Sequence, residues 1–146
     1  MDEPGRDLKY QVALSYAGQD RPYVKRVYDY LAALDISVFY DRADPTLLWG
    51  RNLTEELNRI YEHESATVVI FASRDYLAKD WTRHERRSAL SRAARTQGTY
   101  VLIGRFHDVE LPGVPSDVVY LPLGEFTPEE FGELLVRTLR NLGVVS

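Results

Sequence analysis

Thr67-Val-Val-Ile-Phe71, followed after one alanine by Ser73-Arg-Asp-Tyr76-Leu-Ala-Lys79-Asp-Trp81-Thr-Arg-His-Glu85, is the stretch from which the fold is read. Five β-branched and aromatic residues in a row suit a strand buried on both faces of a parallel sheet. The residues after them open a helix expected over 81–95. In an α/β sheet such a strand-to-helix junction lies at the carboxyl edge, where ligands bind. Trp81 and Glu85 are four apart and share one face of a continuous helix. A flat aromatic beside a carboxylate at that edge can hold a sugar or nucleotide and stabilise positive charge on it.

Working outward, four more apolar runs read as strands, at 11–16, 37–40, 100–103 and 118–121. Amphipathic segments separate most of them. The first helix is expected over 22–34, with Val24, Val27, Tyr28, Leu31 and Leu34 as its stripe and Asp20 and Pro22 as start signals. The second is expected over 53–62, with Asn52 as cap. The last begins at Thr127-Pro128-Glu129-Glu130, a capping box with proline at the first helical position. Residues 107–117 hold Pro112, Gly113 and Pro115 and read as a loop. Alternating strands and helices predict a flavodoxin-like three-layer α/β sandwich. Its five-stranded parallel sheet takes the order 2-1-3-4-5, with helices on both faces and the switch point between strands one and three.

A chain of 146 residues makes one domain, and 45% hydrophobic with 27% charged residues is ordinary globular composition. A net charge of −4 argues against a general nucleic-acid grip. The absence of cysteine excludes disulfides, thiolate metal sites and a cysteine nucleophile. The polar, acidic start is unlike a secretory signal, and no apolar run reaches the roughly 18 residues that span a bilayer. A cytoplasmic location is the expectation. The last residues after the final helix read equally as a natural terminus or as the cut edge of a longer protein.

Three loops are expected to meet at the switch point. The first is Ser15-Tyr16-Ala17-Gly-Gln-Asp20, the second Asp41-Arg42-Ala-Asp44-Pro-Thr-Leu-Leu48-Trp49-Gly50-Arg51, and the third spans 73–81. Tyr16, Trp49 and Trp81 offer aromatic surfaces; Ser15, Asp41, Arg42, Asp44 and Glu85 offer polar groups, a combination that suits a small-molecule site. Plainer readings exist for each. Thr82-x-x-Glu85 fits a capping box, Trp81 could fill the core, and serines at strand ends are common turn residues. The arginines of the third helix suit a solvated face. No G-x-G-x-x-G follows the first strand, no P-loop or G-x-S-x-G elbow occurs, and the three histidines lack metal-ligand spacing. A response-regulator receiver needs an acceptor aspartate after strand three, where this chain has Ala72-Ser73.

With those residues in view, the chain resembles a Toll/interleukin-1 receptor (TIR) domain of the prokaryotic kind. Val12-Ala-Leu-Ser-Tyr16 followed by Asp20 resembles the first box of that family. Val38-Phe-Tyr-Asp41 with Leu48-Trp49-Gly50-Arg51-Asn52-Leu53 resembles its second strand and BB loop, and Ser73-x-x-Tyr76-x-x-x-x-Trp81-x-x-x-Glu85 resembles its catalytic segment. The likeness departs where bacterial relatives often carry an acidic residue before Leu-Trp-Gly and this chain has Thr46-Leu47. The resemblance implies an NAD+ glycohydrolase that needs no cofactor or metal. It implies Glu85 as catalytic residue, with substrate contacts from Ser15, Tyr16, Ala17, Asp41, Arg42, Asp44, Leu48, Trp49, Ser73, Tyr76 and Trp81. It also implies self-association through the BB loop, a fused or partner sensor domain and a role in antiphage defence. Two rivals stand beside it: a non-catalytic adaptor acting only by self-association, and a deoxyribosyltransferase-like enzyme of nucleosides.

Overall fold

Alternation along the third strand sets the architecture. A computed structural model describes residues 8–40, 46, 49–81, 84–95, 99–114 and 118–146, with backbone alone at 53, 54, 80, 84–86, 89, 94 and 95. In β3 (Thr67–Ala72) every residue is buried. Val68, Ile70 and Ala72 join one hydrophobic cluster, while Val69 and Phe71 join the other, as a strand with period two requires. β3 is flanked by β1 (Val12–Ser15) and β4 (Tyr100–Arg105), with β2 (Val38–Phe39) and β5 (Tyr120–Pro122) at the edges. The order is β2-β1-β3-β4-β5 and every pairing is parallel, with Ala13 opposite both Phe39 and Val68. This is the expected doubly wound sheet.

Helices α1 (Arg21–Ala33) and α4 (Pro128–Asn141) cover one face through Val24, Val27 and Leu31, and through Phe131, Leu135, Val136 and Leu139. Helices α2 (Leu53–Asn58) and α3 (His84–Arg95) cover the other, with Leu57, Leu90 and Ala93 in the core. Both expected caps form. Asn52 Oδ1 accepts from the Glu55 N–H at 3.0 Å, and Thr127 with Glu130 closes a reciprocal capping box. Leu34 leaves its predicted stripe and is 49% exposed, because the helix ends at Ala33 and Leu34 is its C-cap.

The second expected helix, 53–62, changes character partway along. α2 passes at Arg59 into a π-helical turn, Arg59–His63, which still buries Ile60 and Tyr61. The third loop, expected over 73–81, contains a second π-helical turn, Tyr76–Trp81, and α3 (His84–Arg95) lies within the helix expected over 81–95. A π-turn carries one extra residue per turn, so residue spacing across it no longer reports a shared α-helical face. In β4, Gly104 is there for space: a Cβ would sit 2.7 Å from Leu123 Cδ2, inside the 3-10 turn Leu123–Glu125 that leads to α4.

On the α1–α4 side, the Tyr23 hydroxyl titrates with a readable sign. Tyr23 lies edge-on to Phe106 and Phe71, and its hydroxyl donates to the Phe126 carbonyl at 3.1 Å. Burial, with the nearby Glu129 carboxylate second, pushes its pKa from 10.0 up to about 12. The folded state therefore holds this proton more tightly than the unfolded chain does. Its contribution to stability is complete below pH 10 and is lost as the pH rises toward about 12. Urea melts across that window are expected to show a steeper loss in the wild type than in Tyr23→Phe. Equal slopes would contradict the assignment.

Candidate active site

Because β1, β2 and β3 run parallel and lie side by side, the loops after Ser15, Phe39 and Ala72 leave from one edge of the sheet. That edge is the switch point of the topology. Ser15 is the last residue of β1, Ser73 follows β3 directly, and Glu85 is the second residue of α3. Each of these three candidates is thus placed by a strand end or a helix start.

The first and third loops are tied by side-chain hydrogen bonds. Ser15 Oγ and the Tyr76 hydroxyl lie 2.8 Å apart in the buried interior. Ser73 Oγ donates to Asp20 Oδ2 at 2.5 Å and accepts from the Tyr76 N–H at 3.0 Å. Its hydroxyl proton is therefore directed at a neighbouring loop. Ala17 is buried and its carbonyl accepts from the Asp20 N–H at 2.9 Å, closing the turn Gly18–Asp20.

The aromatic candidates have three different environments. Tyr16 is buried and stacks on Tyr40, which stacks in turn on Tyr28 of α1, so its ring belongs to the α1–α4 face. Trp81 is 4% exposed on the opposite face, and its indole N–H donates to the Pro112 carbonyl at 2.9 Å. The Arg87 guanidinium lies 5.7 Å from the Trp81 ring centre, within cation–π range. Trp81 also walls a cavity of about 500 Å³ between α3 and β4, lined by Ile70, Leu90, Val101 and Ile103. Trp49 is 82% exposed beside Gly50, whose φ of 76° is a left-handed turn that glycine adopts without strain.

Trp81 closes the π-turn and Glu85 belongs to α3, with 82–83 between them outside the described residues, so their four-residue spacing does not by itself report a shared helical face. Asp41, Arg42, Asp44 and Leu48 lie outside the described residues, as does the side chain of Glu85. Asp20, expected as a helix start signal and as the end of the first loop, also joins that loop to the third beside the Ser15–Tyr76 link. Its position before α1 masked that role, since aspartate there ordinarily caps the helix. Among the described residues no cluster of three or more His, Asp or Glu could hold a metal, and no helix is long and apolar enough to cross a membrane.

Comparison with known proteins agrees with this fold. A family model described as TIR domain matches residues 12–135. The chain is 42% identical over 136 residues to a protein of Aquimarina amphilecti named 3′ cyclic ADP-D-ribose synthase AaTIR; the match covers 93% of this chain and 42% of that protein. Among solved structures, the TIR domain of the Toll-related receptor TRR-2 from Hydra magnipapillata aligns with a TM-score of 0.69 at 19% identity, over 90% of this chain and 98% of that one. A metazoan TIR-STING receptor from C. gigas, solved in complex with 2′,3′-cGAMP, aligns with a TM-score of 0.70 at 16% identity, over 95% of this chain and 41% of that one. At such identities the two structures report the fold alone. The family match covers most of the chain, and the sheet order is that of the fold: this protein belongs to the TIR domain family.

Proposed function

We propose that this domain cleaves the bond between ribose and nicotinamide in NAD+. The observation that carries the reading is the 42% identity, over nearly the whole chain, to a 3′ cyclic ADP-D-ribose synthase. The position of Glu85, in the first turn of the helix that follows the central strand β3, supports it.

The chemistry needs few groups. As the C1′–N bond breaks, its electron pair leaves with nicotinamide, which departs neutral and requires no general acid. A glycosidase uses two carboxylates because it must also protonate a leaving oxygen. Here one carboxylate, Glu85, counters the charge that develops on the ribosyl carbon and binds the ribose hydroxyls. A hydroxyl of the substrate itself then closes the new C1′–O bond and gives a cyclic ADP-ribose, while capture by water gives ADP-ribose. In both cases the oxygen loses its proton to a base or to solvent. Trp49 is exposed enough to stack on a base or to meet another copy of the domain. Self-association through the loop that carries it activates the domain, under a fused or separate sensor, in cytoplasmic antiphage defence.

Purified protein incubated with NAD+ in a crowding agent is expected to release nicotinamide, while deoxynucleosides incubated in parallel stay intact. Folded, self-associated protein that leaves NAD+ untouched would leave the non-catalytic adaptor as the reading, with exposed Trp49 at its interface.

A further inference from the structure

Asp20 occupies the N-cap position of α1, yet its side chain makes no cap bond to that helix. It reaches instead across 53 residues of sequence to accept the Ser73 hydroxyl proton. An aspartate at an N-cap normally satisfies the backbone N–H groups of its own helix. Here that local use is given up for a long-range one.

What Asp20 holds is the start of the third loop. Ser73 Oγ accepts from the Tyr76 N–H, and the Ser73 carbonyl accepts from the Leu77 N–H at 2.9 Å, so Ser73 anchors the first helical turn after β3. That turn runs directly into the π-helical turn Tyr76–Trp81 and on toward α3. π-turns are rare and occur frequently at functional sites. Side-chain links run from this segment to the β1–α1 connection, among them Tyr76 to Ser15 inside the core and Ser73 to Asp20 at its margin.

We infer that Asp20 is a positioning residue for the NAD+ site: through Ser73 it sets where the π-turn lies against β1, and so where α3 and Glu85 begin. The catalytic part of this inference rests on the function proposed above, whereas the mechanical part does not. Asp20 is only half-buried, so truncating it opens no core cavity and its effect is not one of lost packing. Asparagine keeps an acceptor oxygen for the serine proton; alanine does not.

The test compares Asp20→Ala, Asp20→Asn, Ser73→Ala and the double alanine variant at a temperature where all are folded. For Asp20→Ala, kcat for nicotinamide release is expected to fall about ten-fold with KM little changed, the pattern of a misplaced catalytic group. Asp20→Asn should restore most of the rate, and the double variant should be no slower than either single alanine variant. In parallel, hydrogen exchange followed by mass spectrometry should show amides of 74–81 exchanging about five-fold or more faster in Asp20→Ala, with α4 unchanged. Wild-type exchange and kcat in Asp20→Ala would overturn the inference, as would an asparagine variant as defective as alanine. If wild-type protein itself leaves NAD+ intact, the functional reading fails, and the exchange data alone decide whether Asp20 holds the turn.

Discussion

Glu85→Gln is expected to slow nicotinamide release by about 10²-fold or more, on the scale of losing one preorganised electrostatic contact to a transition state. Glutamine keeps the size of the side chain and its capacity to accept a hydrogen bond, and removes only the charge. The substitution also separates the two readings of this position. A capping box accepts glutamine as readily as glutamate at its third helical residue, so a purely capping Glu85 predicts an unchanged rate and an unchanged melt. A carboxylate that counters a ribosyl cation predicts a large loss of kcat at nearly constant stability. Initial rates of nicotinamide release, taken with a thermal melt by circular dichroism, read both quantities. Equal turnover by the folded glutamine variant and the wild type would remove Glu85 from the chemistry.

The largest expected stability effect is at Phe71. This residue is fully buried in β3, which is paired on both sides, so the backbone has little freedom to close around a smaller side chain. Its ring meets Phe131 of α4 edge-on at 5.6 Å between centres and Tyr23 of α1 at 6.4 Å, linking both helices of that face to the middle of the sheet. Phe71→Ala removes the transfer free energy of the ring and leaves a cavity, together costing about 3–5 kcal/mol. Against a total of about 5–15 kcal/mol for a domain, that is a large share. A urea titration of both proteins measures it, and a loss under about 1 kcal/mol would show that α1 and α4 can collapse onto the gap.

The sheet was legible because its information is local. Each of the five strands announces itself as a short apolar run, and the order follows from parallel pairing and short crossovers. Thr127 and Asn52 form the caps their spacing predicts, since a cap depends on three or four neighbouring residues. What stayed hidden depends on tertiary partners. Nothing in Tyr76-Leu-Ala-Lys79-Asp-Trp81 distinguishes a π-turn from an α-turn; the buried meeting of Tyr76 with Ser15 and the part-buried one of Trp81 with Pro112 accompany the wider turn. Tyr16 and Trp81 both follow strands at one edge, yet their rings go to opposite faces, so shared loop origin did not mean a shared pocket. Asp20 looked complete as a helix start, and its partner is more than fifty residues away.

The two outermost strands have a bearing on how copies of the domain can gather. Val38–Phe39 is two residues long and Tyr120–Pro122 is three, the latter ending in an imino acid with no amide proton to offer. Among the described residues, neither rim is a long ribbon of open backbone onto which another chain could be stitched. Were copies of the domain to associate, the contact would fall to side-chain surfaces of helices and loops, since the described strand edges offer little backbone for lengthening the sheet.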